Sequence, residues 1–256
     1  MKRVLFFAYG LTCYLMFGAV YLYAIGFVGN IAVPRSIDSA VGTPWPAALM
    51  INLGLLAVFG LQHTIMARPT FKRLWTRIVP EPIERSTYVL FSNLAMILLF
   101  WQWRAIDAVV WDVQSGPARN ALWALFAGGW LIIVVATLML NHFDLFGLRQ
   151  VWLHLRGRPY TRLTFAQPVF YRHVRHPLYV GWLTAFWVTP TMTAGHLLFA
   201  IGATAYILIA IQFEERNLLE AHGADYAEYR RRVPMLIPMP RRVSRAAATE
   251  AQRATA

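Results

Sequence analysis

The chain has 256 residues, of which 58% are hydrophobic and only 14% are charged, whereas soluble domains contain about 45–50% apolar and about 25% charged residues. This composition excludes an ordinary soluble domain and favours an integral membrane protein. The net charge of +12 does not indicate nucleic-acid binding, because the basic residues fall between apolar segments. The one cysteine, Cys13, excludes an internal disulfide bond and a cysteine-based metal site.

Four apolar segments each approach the roughly 20 residues that a membrane-spanning helix needs. They are residues 4–28, 45–66, 87–103 and 121–140. The first has a longer apolar core than the roughly 7–15 residues of a signal peptide, so we expect a retained helix. A further apolar region, 178–213, is interrupted at Pro190 and Gly195. It predicts a tight hairpin of two shorter helices that need not cross the bilayer fully.

The basic residues are distributed unevenly between the two sides of these segments. Of the 24 Lys and Arg residues, all except Arg35, Arg104 and Arg119 fall on the side of the N-terminus. Because cytoplasmic loops carry the excess of Lys and Arg, we expect both termini in the cytoplasm, in a bacterial inner membrane. The sequence therefore predicts an all-α integral membrane protein with four transmembrane helices, a C-terminal transmembrane helical hairpin and a cytosolic cap.

The loop 141–177 is too long to be a simple connection and is rich in aromatic, His and Arg residues. We expect it to be ordered and functional. The predicted organisation is therefore N-terminal transmembrane helices in 1–140, a core of loop, hairpin and C-terminal segment in 141–238, and a disordered tail in 239–256.

The first candidate motif is Arg175-His176-Pro177-Leu178-Tyr179-Val180-Gly181. Pro177 suits the first turn of a helix, and the free N–H groups of that turn, with Arg175 and His176, could bind an anion such as a carboxylate. Gly181 lets a ligand or a neighbouring helix approach closely. The alternative interpretation is a basic anchor at the membrane surface.

The second candidate motif is the pair Glu214-Glu215. Two acids at the end of an apolar helix are costly unless they are paired or functional. Glu214 shares a helix face with Leu218, while Glu215 points elsewhere. One acid could accept hydrogen bonds from a ribose or amino group while the other pairs with Arg. The alternative is an interfacial cap held by salt bridges.

The third candidate motif contains His142 and Asp144, just after the fourth apolar segment. If the helix stops at Asn141, both side chains can converge on a pocket, where imidazole is the usual proton acceptor. The alternative is a helix end at which His142 interacts with the last carbonyls. Tyr171-Arg172-His173 suggests either a pocket wall or an ordinary interfacial rim.

Together these motifs carry a family resemblance. The pattern Arg-His-Pro-x-Tyr-x-Gly, an apolar hairpin, Glu-Glu-x-x-Leu and an ending with Gly223, Tyr226, Tyr229, Val233 and Pro234 resembles the isoprenylcysteine carboxyl methyltransferase superfamily. Upstream, Gln62-His63-Thr64, the run 84–88 and the run 141–150 are similar to the bacterial membrane methanethiol S-methyltransferases.

The resemblance implies S-adenosylmethionine as methyl donor, methanethiol as acceptor, and dimethyl sulfide and S-adenosylhomocysteine as products. It implies that a cytosolic cap binds the donor and that Arg175 holds the donor carboxylate. The other implied donor-binding residues are His176, Tyr179, Gly181, Glu214, Glu215 and Asn217, with Tyr226 and Tyr229 as a lid.

A thiolate is the nucleophile in such chemistry, so the thiol has to lose a proton. Our hypothesis is that His142 is the base, oriented by Asp144, with Tyr171, Arg172 or His173 assisting. No metal and no nucleic acid are expected. The expected partners are a small thiol and membrane lipids, and a monomer is compatible with the sequence, which leaves the oligomeric state open.

Two other functions remain open. An isoprenylated cysteine or a phospholipid amine as acceptor would need a wide lateral tunnel, against which the bulky Phe, Trp and Met residues of the helices argue. A small transporter or accessory membrane protein could line a path with His63 and intramembrane Asn residues, and it would not bind a methyl donor.

Overall fold

The structure, a computed structural model, describes residues 1–39, 42–161, 163 and 167–238. The predicted disordered tail, 239–256, lies outside the described residues. The helices are α1 (Lys2–Gly29), α2 (Trp45–Ala67), α3 (Pro69–Trp75), α4 (Glu81–Gln102), α5 (Gly116–Met139), α6 (His142–Leu145), α7 (Leu148–Leu155), α8 (Pro177–Trp187) and α9 (Ala194–Arg232). A 3₁₀ turn covers Val169–Arg172, and two short strands are β1 (Val109–Asp112) and β2 (Thr191–Thr193).

Within the described residues, five helices are long and apolar enough to cross a membrane, namely α1, α2, α4, α5 and α9. The chain is therefore a helical integral membrane protein, and the four predicted apolar spans lie in α1, α2, α4 and α5. Two of these helices begin about five residues earlier than predicted. Each has a proline in its first turn, Pro82 in α4 and Pro117 in α5, where proline is well tolerated because no intrahelical N–H bond is lost.

The predicted hairpin differs from the observed one. Helix α8 has 11 residues and is about 16 Å long at 1.5 Å per residue, which is shorter than the roughly 30 Å hydrocarbon core. Helix α9 has 39 residues and is bent at Gly223, where φ is 51°. The prediction of two shorter helices therefore holds for α8 but is wrong for α9, which is long enough to cross a membrane and continues through Glu214 and Glu215.

Six helices form a ring. They pack side by side in the order α5, α8, α9, α2, α4 and α1, and the Tyr21 hydroxyl on α1 donates a hydrogen bond of 2.7 Å to the Trp130 carbonyl on α5. The closest helix contact lies between α5 and α8, where a Cβ on Gly181 would be 2.8 Å from the carbonyl oxygen of Gly129. Small residues allow such close backbone approach between membrane helices.

The two ends of the ring differ in charge and in structure. One end carries α3, α6, α7 and the 3₁₀ turn, together with most of the basic residues. At the other end β1 and β2 pair as antiparallel strands, with Asp112 opposite Thr191. Arg119, one of the three exceptions to the charge pattern, pairs there with Asp112 at 3.3 Å. The strands were not predicted, because each is short and its partner is distant in sequence.

Candidate functional site

The ring encloses a cavity of about 810 Å³ that is lined by residues from all six helices. This volume is typical of small-molecule sites. Six of the predicted site residues line the cavity. One is His142, and the others are Tyr171, His176, Tyr179, Glu214 and Asn217, which we call the acidic rim.

The carboxylate of Glu214 is the charged group of the acidic rim. The Tyr179 hydroxyl donates to Glu214 Oε2 at 3.0 Å, and His176 Nδ1 lies 3.8 Å from the same oxygen. The Glu214 side chain is 45% exposed, so it keeps acceptor capacity for further hydrogen bonds. A ligand with hydroxyl or amino groups would suit this carboxylate.

Glu215 lies behind the acidic rim in a buried ion-pair network. Arg175 Nε lies 2.7 Å, and His176 Nε2 3.1 Å, from Glu215 Oε1, while Arg230 Nε lies 3.1 Å from Oε2. Arg175 Nη1 also donates to the carbonyl of Val233 at 2.5 Å. Buried charges of this kind require such partners. The network therefore joins the loop before α8 to the end of α9, and Arg175 faces Glu215.

The same loop is also held by its backbone. The Arg175 N–H donates to the Pro234 carbonyl at 2.8 Å, and the His176 N–H donates to the Met235 carbonyl at 3.2 Å. These two N–H groups are therefore used within the protein and hold the loop against the segment that follows α9.

Tyr226 and Tyr229, the predicted lid residues, are buried against Val233. The Tyr229 hydroxyl donates to the Tyr171 carbonyl at 2.6 Å. They therefore fix the last turns of α9 against the 3₁₀ turn, so that the Tyr171 ring is held at the cavity.

The Tyr171 hydroxyl is a candidate ligand donor. Its side chain is buried, and Oη has no hydrogen-bond partner among the described residues. Burial, reinforced by the charge of Glu214, raises the pKa of the Tyr171 phenol, so it stays protonated. A buried hydroxyl without a partner is unfavourable, so an acceptor on a bound molecule would satisfy it.

Three other predicted residues lie away from the cavity. Gly181 packs against α5, as described above. Arg172 is exposed and donates from Nε to the Gln167 carbonyl at 3.2 Å, and His173 is exposed with Nδ1 3.0 Å from the Val169 carbonyl. The structure thus does not bring these three to the acidic rim.

His142 also lines the cavity, because α5 ends at Met139 and Asn141 adopts φ 81°. His142 Nδ1 lies 2.8 Å from Thr137 Oγ1, and Nε2 lies 2.9 Å from the Tyr14 hydroxyl. The single hydroxyl proton of Thr137 is donated to the Val134 carbonyl at 2.8 Å. We therefore assign the imidazole proton to Nδ1, which leaves Nε2 as the acceptor from Tyr14. We call Thr137, His142 and Tyr14 the His142 relay.

Burial lowers the pKa of His142, so the imidazole is neutral near neutral pH. The prediction that Asp144 orients His142 is wrong. Asp144 Oδ1 instead pairs with Arg149 Nη1 at 2.8 Å, and its Oδ2 accepts from the Tyr160 hydroxyl at 3.2 Å. The residues that orient the ring, Tyr14 and Thr137, come from helices α1 and α5.

The cavity also contains residues to which the sequence analysis assigned no role in a reaction. They are Tyr14, His63, Arg68, Arg85, Tyr88, Ser92, Thr137 and Tyr206. Three of them carried a sequence signal: His63 lies in the motif Gln62-His63-Thr64, and Arg85 and Tyr88 lie in the run 84–88, both of which belong to the family resemblance. The others fit ordinary helix or interface patterns, so only packing could associate them with one cavity.

The fold defines an integral membrane protein, because a ring of membrane helices surrounds the cavity. The polar rim and the neutral imidazole on the cavity wall make the cavity a candidate small-molecule site near the basic end. No family model matches the sequence and no solved structure matches it. Relatives identify the class more closely.

A methanethiol S-methyltransferase of Mycobacterium tuberculosis is 57% identical over 242 residues, which are 94% of this chain and 99% of the relative. Another from Crocosphaera subtropica is 52% identical over 238 residues, 93% of each chain. Nurim of Bos taurus is more distant, at 31% over 208 residues, 75% of this chain and 78% of the relative. The chain belongs to the methanethiol S-methyltransferase family and is a membrane methyltransferase, as the sequence motifs predicted.

Proposed function

We propose that the protein transfers a methyl group from S-adenosylmethionine to the sulfur of methanethiol, forming dimethyl sulfide and S-adenosylhomocysteine. The observation that carries this proposal is a cavity that joins the acidic rim to a neutral imidazole on a mostly apolar wall. The names of the relatives give the same acceptor.

The acidic rim fits the donor by its chemistry. S-adenosylmethionine supplies a methyl group on a positively charged sulfonium. Glu214 is suited to accept hydrogen bonds from ribose hydroxyls or the amino group, and the unpartnered Tyr171 hydroxyl is suited to donate one. The aromatic rings of Tyr171 and Tyr179, which line the cavity, are suited to a cation. His176 and Asn217 complete this part of the proposal.

The remaining predicted donor residues have positioning roles in this proposal. Arg175 and Glu215 hold the loop before α8 against the end of α9. Gly181 sets the distance between α8 and α5. Tyr226 and Tyr229 hold Tyr171 in place. None of these roles requires contact with the donor.

An alkyl thiol is largely protonated at neutral pH, so an imidazole on the cavity wall has to take its proton. His142 is the candidate that the sequence names. Its neutral ring can accept a proton at Nε2 through the Tyr14 hydroxyl. Arg172 and His173, at the surface of the same end, remain proposed helpers. Alignment of the reacting groups and exclusion of water would provide much of the rate acceleration.

The charge distribution supports a cytosolic position for the basic end, with both termini there, in the inner membrane of a bacterium. In this arrangement the loop before α8 and the last turns of α9 form the cytosolic donor-binding cap. Leu15 and Leu22 line the cavity and are also 63% and 67% exposed on the outer face of α1. An apolar thiol dissolved in the bilayer could therefore enter between helices while the charged donor enters from the cytosol.

The test is headspace detection of dimethyl sulfide from the purified protein given methanethiol and S-adenosylmethionine. Calorimetry with S-adenosylhomocysteine measures the donor site separately. Glu214→Gln and Tyr179→Phe should weaken this binding, while Glu228→Gln, an exposed carboxylate paired with Arg232 at 3.2 Å, should not. Product formation without any effect of Glu214→Gln would remove the acidic rim from the proposal.

The opening beside Leu15 and Leu22 is also what a lipid-borne acceptor would need. A comparison of methanethiol, an isoprenylated cysteine and a phospholipid amine, each with labelled donor, separates these acceptors. Transfer only to the prenylated or lipid acceptor would contradict the thiol proposal.

A further inference from the structure

The cavity contains a second hydroxyl–imidazole–tyrosine arrangement, in α2 and α4. His63 Nε2 lies 2.7 Å from the Tyr88 hydroxyl, and Nδ1 lies 3.1 Å from Ser92 Oγ. The Ser92 hydroxyl donates its proton to the Tyr88 carbonyl at 3.0 Å. The imidazole proton is therefore assigned to Nδ1, and Nε2 accepts from Tyr88. We call Ser92, His63 and Tyr88 the His63 relay.

The His63 relay and the His142 relay follow the same rule in different helices. In both relays, the hydroxyl of a Ser or Thr donates its only proton to a backbone carbonyl of its own helix. This fixes the imidazole tautomer and aims the tyrosine proton at Nε2. The tyrosine oxygen can then offer only lone pairs to a further molecule. A small molecule that donates one hydrogen bond, such as a thiol S–H, complements this oxygen.

Position distinguishes the two relays. The His63 ring lies 6.4 Å from the Tyr206 ring on α9, and Thr64 Oγ1 donates to the Tyr206 hydroxyl at 3.4 Å. Tyr206, Ala210 and Glu214 line the cavity at four-residue intervals, so they share one face of α9. The His63 relay therefore contacts the face that carries Glu214, about 12 Å along the helix from it at 1.5 Å per residue.

A positive charge lies beside the His63 relay. Arg85 Cζ lies 4.7 Å from the centroid of the Tyr88 ring, and Arg85 lines the cavity. Its positive charge favours the thiolate form of a thiol bound at Tyr88. The neighbours of the His142 ring include Phe17 and Phe146, with centroids 6.4 Å and 4.8 Å away.

His63 lies within α2, a candidate membrane span, whereas His142 lies beyond the end of α5. An ionisable side chain within a membrane span is costly and usually functional. If His63 had only a structural role, any hydrogen-bond donor could satisfy its Nε2 atom. It would not need a tyrosine hydroxyl whose oxygen is left to accept a hydrogen bond from a further molecule.

We propose that the His63 relay binds the acceptor thiol and takes its proton, in place of the His142 relay. This inference rests on the proposed function and deepens it. The thiol S–H bond breaks, its proton passes to Tyr88 Oη as the Tyr88 proton passes to His63 Nε2, and the electron pair stays on sulfur as the nucleophile. The relay ends with an imidazolium and the tyrosine unchanged.

The experiment compares His63→Gln and Tyr88→Phe with His142→Gln and Tyr14→Phe in the purified full chain. Control variants are His154→Gln, whose ring stacks on Phe6, and Tyr23→Phe, whose hydroxyl donates to the Arg35 carbonyl at the other end. Each variant is assayed with methanethiol and with 2,2,2-trifluoroethanethiol, a small thiol that is more acidic. Calorimetry with S-adenosylhomocysteine reports the donor site.

His63→Gln should lower kcat/KM for methanethiol by a factor on the order of 10²–10⁴, the usual contribution of a general base. The loss should be smaller for the acidic thiol, because more of it is already ionised. A residue that only supports the fold would reduce turnover of both thiols equally. Affinity for S-adenosylhomocysteine should remain at the wild-type level.

A readout without turnover uses the fluorine signal of 2,2,2-trifluoroethanethiol in donor-free protein. Tyr88→Phe should abolish the shift that binding causes, while Tyr14→Phe and Tyr23→Phe should retain it. This variant keeps the inference testable if His63→Gln does not fold.

Three results would overturn the inference. The first is that His63→Gln and Tyr88→Phe methylate thiols at the wild-type rate while His142→Gln loses activity. The second is that His63→Gln and Tyr88→Phe both lose affinity for S-adenosylhomocysteine, which would assign the His63 relay to the donor site. If the wild-type protein binds S-adenosylhomocysteine but methylates no thiol, the proposed function fails together with the inference.

Discussion

Glu214 and Glu215 are adjacent in sequence but lie in opposite environments. Glu214 faces the cavity and is 45% exposed, whereas the Glu215 side chain is 5% exposed and contacts Arg175, His176 and Arg230. Successive residues of a helix point about 100° apart, so one acid reaches the cavity and the next reaches the protein behind it. The comparison teaches that the acidic motif combines a cavity-facing group with a group that holds the fold.

The largest expected effect is a loss of stability when the buried acid, Glu215, is replaced. Glu215→Ala leaves Arg175 buried without its carboxylate, and breaking a buried ion pair in this way costs about 3–5 kcal/mol. We expect a large fall in thermal stability, measured by a melting curve in detergent. Glu228→Gln, at an exposed carboxylate, is the matched control, and equal melting curves for both variants would show that the network does not hold the fold.

The next largest expected effect is a loss of ligand affinity when the cavity-facing acid, Glu214, is replaced. Glu214→Gln should leave the melting curve nearly unchanged but weaken S-adenosylhomocysteine binding. Hydrogen bonds to a charged group contribute about 1.5–3 kcal/mol, which corresponds to roughly a tenfold to hundredfold change in the dissociation constant. Calorimetry measures it. A variant that lost stability rather than affinity would abolish the distinction between the two glutamates.

Gly181 extends the comparison to a residue that the family resemblance implies for donor binding. A Cβ at Gly181 would lie 2.8 Å from the Gly129 carbonyl, whereas a Cβ at Gly128 would have nothing within 4 Å. Gly181→Ala should therefore destabilise the protein by about 1–3 kcal/mol through overpacking, and Gly128→Ala should not. Both are read from melting curves. If Gly181→Ala instead changed only the affinity for S-adenosylhomocysteine, Gly181 would act in donor binding rather than in helix packing.

The smallest effect concerns the support of Tyr171. Tyr229→Phe removes the hydrogen bond to the Tyr171 carbonyl, and a typical hydrogen bond contributes about 1 kcal/mol. We expect a small fall in stability and a modest loss of S-adenosylhomocysteine affinity, because Tyr171 is held less firmly at the cavity. Tyr23→Phe removes a comparable bond at the other end of the ring and should leave that affinity unchanged. If Tyr229→Phe and Tyr23→Phe bound S-adenosylhomocysteine with equal affinity, Tyr229 would have no role in supporting the site.

Sequence patterns predicted the spans well because a membrane helix depends on local composition. They placed α1 and α2 within two residues at either end. They failed for the length of α9, which was expected to be a short helix and runs well beyond the apolar segment that ends at residue 213. The helix continues because Arg175 and Arg230, which lie far apart in sequence, neutralise Glu215.

The site shows the same division. The motifs identified the region that forms the acidic rim, and they identified His142 as a residue near a cavity. They assigned Asp144 as its partner because Asp144 is close in sequence, but the actual partners are Thr137 and Tyr14. Tyr14 is 128 residues away along the chain, and no local pattern links the two.

The sequence by itself determined a basic, helical membrane protein and gave candidate site residues between 142 and 229, since hydropathy, charge bias and family motifs are properties of the chain. The tertiary structure decided which acid faces the cavity, which groups hold each imidazole, and that His63 and His142 share one cavity. These features depend on how six helices pack around one another, and a side chain acquires its partners only when distant segments meet.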